Sequence, residues 1–268
     1  MKLNEALEIV SRSDPGIVRS HNEDAVFDQA DAGLVVLADG MGGYNAGEVA
    51  SGMAVTWLGG NLPAALAPVS GPAAEIHRLI AQQVALANDS ILKAAESQPQ
   101  YAGMGTTLVL GYFRDNRLTL GHIGDSRAYR LRGEEFMQLT RDHSLLQEQI
   151  DSGMISREEA RFSQNKNLVT RALGVDLGVE VEIHDHDVLV GDIYLLCSDG
   201  LNDMVEDDEI ALTLQTLHSN LELAADQLIQ MANDNGGRDN VSVILVKVRG
   251  DFAAPRGWAQ KLLAWFKA

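Results

Sequence analysis

The sequence predicts an α+β sandwich. Short apolar β-type runs recur near both ends and in the middle of the chain, so its sheet must be assembled from distant segments. Helical patterns come in adjacent pairs, whereas a parallel α/β sheet would alternate single strands with single helices. A 46% hydrophobic composition supplies a sizeable core, and 268 residues permit one large domain without requiring two.

The elements follow in order. Residues 34–37, 107–113, 193–197 and 241–248 are apolar runs of strand length. Residues 118–123 and 128–131 alternate more, as half-buried antiparallel strands do. Asp115-Asn116 lies between two such runs and reads as a hairpin turn. A helix is expected over 47–58, with Glu48 in its first turn. A longer one over 72–95 has Pro72 in a first-turn position and Ile76, Leu79, Ile80, Val84, Ala87, Ile91 and Leu92 on one face. Gly59-Gly60-Asn61-Leu62-Pro63 begins a predicted break that runs to Gly71-Pro72 between these two helices. Residues 210–217 and 221–231 read as a second helix pair.

Polarity rises across 144–173, where Arg157, Glu158, Glu159, Arg161, Gln164, Asn165 and Lys166 cluster, and a surface insert near the substrate is expected there. Beyond Pro255, Trp258, Leu262, Trp265 and Phe266 stand at helical spacing, which reads as an amphipathic terminal helix docked on the body. The expected organisation is one catalytic domain over 1–250 with a flap at about 144–173, followed by a tail over 251–268.

The formal net charge is −17, from 21 basic against 38 acidic residues. A surface this acidic repels nucleic acid and anionic membranes. Cys197 is the only cysteine, so no intrachain disulfide can form, and its apolar run marks it as a buried, inert thiol suited to a reducing cytoplasm. No signal peptide is visible at the start, and no apolar run is long enough to span a bilayer.

The chemistry is expected where carboxylates meet strand ends. Residues 34–40 and 193–200 each run as an apolar strand that delivers an aspartate, Asp39 or Asp199, followed at once by Gly40 or Gly200. A third segment places Asp239 immediately before an apolar strand. Carboxylates at the margin of a core are costly unless something offsets their charge. Little basic charge adjoins these three, so a cation is the natural partner, and hard oxygen ligands imply Mg²⁺ or Mn²⁺. Glycine after Asp39 lets the backbone turn sharply and aim its carbonyl at the same ion. Arg19, followed by Glu23 and Asp24, suits a bidentate phosphate clamp beside such ions. Asp125 lies at a further strand end.

Arg19 with Asn22-Glu23-Asp24, Asp39-Gly40-Met41-Gly42-Gly43, Gly105-Thr106-Thr107, Gly124-Asp125-Ser126-Arg127, Ser198-Asp199-Gly200-Leu201 and Gly237-Arg238-Asp239-Asn240 occur in that order. This ordered set resembles the metal-dependent protein phosphatase family (protein phosphatase 2C, PPM) in its bacterial form. The resemblance implies a central β-sandwich of two mostly antiparallel sheets, flanked on both sides by pairs of helices. It implies that Asp39 bridges two Mn²⁺ or Mg²⁺ ions, with the Gly40 carbonyl on one and Asp199 and Asp239 on the other. Glu23 and Asp24 then act through water, Asp125 with Asp199 and Asp203 forms a weaker third site, and Arg19 binds phosphate. The implied reaction is attack on phosphoserine or phosphothreonine by a hydroxide shared between the ions. Implied partners are phosphorylated proteins, among them a bacterial serine/threonine kinase and its substrates, acted on by a cytoplasmic monomer. Met41 departs from the histidine that many eukaryotic members carry there as general acid. His143 is a poor substitute, being better explained as structurally bonded, and no general acid is assigned. An aspartate-nucleophile phosphatase needs Asp-x-Asp after an early apolar strand, but the triplet Asp185-His186-Asp187 comes late, after an alternating run.

Overall fold

Strands that are apolar along their whole length can be buried on both faces, and here they are. The computed structural model describes residues 2–43, 46–69, 71–160 and 168–254. A helical turn α1 (Leu3–Ala6) leads into β1 (Leu7–Asp14), β2 (Asp24–Gln29) and β3 (Leu34–Met41). The helices α2 (Ala46–Leu66) and α3 (Ala73–Ser97) follow, then β4 (Gly105–Thr106), β5 (Leu108–Arg114), β6 (Arg117–Ile123), β7 (Arg127–Arg132) and β8 (Glu135–Gln138). Short helices α4 (Leu145–Asp151) and α5 (Arg157–Ala160) precede β9 (Glu182–Asp187) and β10 (Ile193–Cys197). The chain continues through α6 (Asp199–Asn202), α7 (Asp207–Thr216) and α8 (Leu221–Asp234) to β11 (Val241–Val248).

One sheet has the order β1-β11-β10-β7-β8 and the other β2-β3-β5-β6-β9, with β4 paired to β3. These pairings are antiparallel. Alternation along β3 shows the layering. Leu34, Val36 and Ala38 join the core beneath α2 and α3, while Val35 and Leu37 join the core between the sheets. On the other sheet, Leu195, Val243 and Leu245 pack toward α7 and α8, and Leu196, Ile244 and Val246 face inward. The layers are therefore helix pair, sheet, sheet, helix pair. Asp115 and Asn116 both take positive φ, 51° and 55°, in the two-residue turn between β5 and β6.

The predicted break at 59–63 is not there. Helix α2 runs through Gly59, Gly60 and Pro63 to Leu66. Glycine costs about 1 kcal/mol and proline about 3 in a helix interior. Against this, Leu58, Leu62 and Leu66 are buried at fourfold spacing, each contributing about 1.5–3 kcal/mol. Gly59 is also required for packing, since a Cβ there would lie 2.8 Å from the Phe27 ring. Pro72 caps α3 rather than entering it. The segment 144–173 is held by isolated bridges, Ser144 to Val169 and Thr106 to Leu173. The predicted terminal helix falls at 255–268, outside the described residues, as do residues 161–167 of the predicted flap.

Candidate metal centre

Antiparallel register sets the first corner of the site, because β2 and β3 pair Asp24 with Asp39. The backbone at Asp39 is fixed from both sides. Its N–H donates to Thr107 Oγ1 (3.0 Å), and its carbonyl accepts from the Thr107 N–H (2.9 Å) and from Thr106 Oγ1 (2.8 Å). The Gly40 N–H donates to the Glu23 carbonyl at 3.0 Å, which draws Glu23 into the same corner.

The second corner belongs to the other sheet. Strand β10 ends at Cys197, Ser198 caps α6, and Asp199 opens that helix. The Ser198 hydroxyl donates to Asp24 Oδ2 (2.8 Å) and accepts from the Ser242 N–H (2.9 Å), so one side chain joins the two sheets at the site. Asp239 immediately precedes β11 and accepts from Arg19 Nη2 at 2.7 Å. Asn240 pins the β1–β2 connection to the start of β11 at three points. Its amide donates to the carbonyls of Pro15 (2.9 Å) and His21 (2.8 Å), and its oxygen accepts from the Glu23 N–H (2.8 Å). Arg19, Glu23, Asp24, Asp39, Gly40, Asp199 and Asp239 thus meet at one end of the sandwich. Asp125, buried in the turn after β6, and Asp203, just after α6, are close enough to Asp199 to repel its charge. A cavity of about 270 Å³ opens there, bounded by Asp125, Asp199, Asp203, Asp142 and Glu206, and by Leu146 and Ile150 of α4.

This much like charge is unfavourable in the bare protein. Burial, and then the carboxylates of Asp24, Asp199, Asp125 and Asp239, hold Asp39 well above the usual aspartate range. Asp199 is raised in the same way by burial and then by Asp125, Asp203, Asp239 and Asp24. Burial pushes Asp24 up to about 6, with Asp239 adding repulsion. Asp125 also reaches about 6, through burial and Asp142. Asp24 Oδ1 is buried without a hydrogen-bond partner, a costly state for a carboxylate oxygen. An all-oxygen set of crowded carboxylates fits hard divalent cations, which would relieve the repulsion.

One role differs from the sequence reading and one agrees with it. Gly40 is not a sharp turn; it continues β3, and a Cβ there would lie 2.2 Å from the Gly47 carbonyl oxygen of α2. His143 is bonded at both ring nitrogens, to the Gly124 N–H and to Glu182. Ser198, Asn240, Thr106 and Thr107 appear in the sequence motifs without a role, yet they are the groups that fix the aspartates. Polar residues at the margins of buried strands were the available signal. Asp185 of the rival triplet lies on β9, bonded to His77 and Thr119.

The family model for protein phosphatase 2C matches residues 18–239. The chain belongs to the protein phosphatase 2C family. Within it, the chain is 41% identical over 239 residues to the serine/threonine phosphatase Stp of Listeria welshimeri, spanning 88% of this chain and 94% of that protein. Among solved structures, this family member superposes on serine/threonine phosphatase Stp1 of Staphylococcus aureus with a TM-score of 0.85 at 34% identity, covering 93% of this chain and 98% of the other. The catalytic domain of the serine/threonine protein phosphatase PstP, solved in complex with 2 manganese ions, matches with a TM-score of 0.77 at 41% identity, over 91% of this chain and 99% of that one. The α+β fold of this protein phosphatase 2C member is thus that of the bacterial serine/threonine phosphatases.

Proposed function

We propose that this protein phosphatase 2C family member is a metal-dependent phosphoprotein phosphatase that hydrolyses phosphoserine and phosphothreonine. The observation that carries the proposal is the meeting of Asp39, Asp199 and Asp239, from three distant segments, where their mutual repulsion favours a bound cation. The manganese in the PstP relative supports the same reading. Asp39, the Gly40 carbonyl, Asp199 and Asp239 would hold two Mn²⁺ or Mg²⁺ ions, with Asp125 and Asp203 serving a weaker third. Bound divalent ions supply Lewis acidity, which activates water near neutral pH and offsets charge on phosphoryl oxygens.

The chain's own groups do the positioning. Arg19 is half exposed and bonded to Asp239, so its guanidinium stands at the rim of the site, free to turn its fork onto phosphate oxygens. Glu23 and Asp24 orient what lies in front of them, and the Thr106–Thr107 bonds keep Asp39 from moving as charge shifts. The decisive experiment is turnover of p-nitrophenyl phosphate and a phosphothreonine peptide with Mn²⁺. Asp39→Asn and Asp239→Asn are expected to lose activity on the order of a hundredfold or more, as loss of several kcal/mol of charge stabilisation requires. Full metal-dependent activity in either variant refutes the assignment.

The single-domain reading over 1–250, with its flap, belongs to the same proposal, as does action on the products of a bacterial serine/threonine kinase by a cytoplasmic monomer. The single Cys197 thiol, free and buried, suits a reducing compartment. Among the described residues, no helix is long and apolar enough to cross a membrane. Phosphoproteomes with and without the protein test the substrates, and light scattering tests the monomer.

A further inference from the structure

A second group of donors lies behind the turn that carries Asp125. His122, at the end of β6, is completely buried. Its Nε2–H donates to the Arg141 carbonyl at 2.9 Å, which fixes the tautomer and leaves Nδ1 as a lone pair. That Nδ1 has no hydrogen-bond partner. His143 is 7% exposed; its Nδ1 accepts from the Gly124 N–H (3.1 Å) and its Nε2–H donates to Glu182 Oε2 (3.2 Å). Glu182 opens β9 opposite His122, and its other oxygen accepts from His184 at 2.7 Å. One ligand atom from each of His122, His143 and Glu182 lies within 4.8 Å of the others.

The chemistry of these donors differs from that of the aspartates. Burial lowers both histidines, which keeps them neutral and able to ligate. Glu182 is opposed by burial, but the hydrogen bonds from His184 and His143 bring it down to about 2, so it is ionised. Two neutral imidazoles and a carboxylate suit a borderline ion such as Zn²⁺ better than Mg²⁺. The His122 bond to a backbone carbonyl is the orienting contact that ligating histidines ordinarily have. We propose that His122, His143 and Glu182 form a regulatory zinc site at the root of the flap, with water completing the coordination.

The site is coupled to the catalytic end through Gly124. The two rings are stacked, with centroids 4.7 Å apart and planes 16° apart, so one ring must swing for both to face a single ion. Ligation through His143 Nε2 moves the ring proton to Nδ1, where it confronts the Gly124 N–H, donor to donor. The Gly124–His143 bond is then lost, and the turn before Asp125 loosens. Zinc capture is therefore expected to lower turnover without displacing Mn²⁺ from the aspartates.

The test is zinc retention by the whole chain in millimolar Mn²⁺, measured as metal content after desalting, for wild type, Glu182→Gln, His143→Gln and Asp239→Asn. Wild type and Asp239→Asn are expected to keep one zinc per chain, and the Glu182 and His143 variants to bind it at least tenfold more weakly. Glu182→Gln should retain its manganese-dependent activity while losing inhibition by zinc. The NMR shift of His122 Nδ1 on zinc addition reads the same event in wild type, with no substitution to compromise folding. No zinc retained by wild type, retention unchanged in both the Glu182 and His143 variants, retention lost only in Asp239→Asn, or an unmoved His122 Nδ1 signal each overturns the proposal.

Discussion

Asp24 offers a test of the charge balance that needs no substrate. Its carboxyl is raised from 3.8 to about 6, chiefly by burial, although hydrogen bonds from Ser242 and Ser198 oppose the rise. A raised folded-state value means that the unfolded chain ionises first. The resulting penalty is absent below about pH 4, grows as pH rises toward 6, and is complete above it. At 1.36 kcal/mol per pH unit, it reaches up to roughly 3 kcal/mol at pH 8 in metal-free protein. Asp24→Asn keeps an oxygen to accept from Ser198 but removes the charge. In urea denaturation with EDTA, the variant should exceed wild type by up to roughly 3 kcal/mol at pH 8, and the difference should vanish near pH 4. With Mn²⁺ at about a hundred times its dissociation constant, wild type should gain about 2.7 kcal/mol and the variant less. A variant less stable than wild type at pH 8 in EDTA, or a gap that widens toward acid, would refute this reasoning.

Four further outcomes are expected. Arg19→Ala should raise KM for a phosphopeptide by about tenfold or more, the worth of one charge-assisted hydrogen bond, and Arg19→Lys should restore only part; steady-state kinetics read both. Gly200→Ala should lower both melting temperature and Mn²⁺ affinity, because its Cβ would lie 2.0 Å from the Asn240 carbonyl oxygen. Gly52→Ala, which faces open space on α2, should instead stabilise by about 0.5–1 kcal/mol. Arg127 grips Asp142 through three hydrogen bonds with little exposure on either side, so Arg127→Leu should cost roughly 3–5 kcal/mol in urea denaturation, and Arg127→Leu with Asp142→Leu should recover most of it.

The interior of the fold was legible because strands buried on both faces have no polar residues to interrupt them. Residues 193–197 and 241–248 coincide with β10 and β11. The edges were not. Strands β1, β2 and β9 mix charged residues with apolar ones because each lies at the margin of its sheet. Helix α2 was cut short because Gly59 and Pro63 carry strong local signals that the tertiary burial of Leu62 and Leu66 outweighs. At the site, strand-end placement picked out Asp39, Asp199 and Asp239. The contacts that hold them, from Ser198 to Asp24 and from Asn240 to Glu23, span 174 and 217 residues and leave no local trace.

The most direct measurement is anomalous diffraction from crystals grown with Mn²⁺. Two manganese peaks are expected between Asp39, Asp199 and Asp239, with Arg19 at their edge. Manganese found elsewhere, with no peak among these three carboxylates, would contradict that expectation.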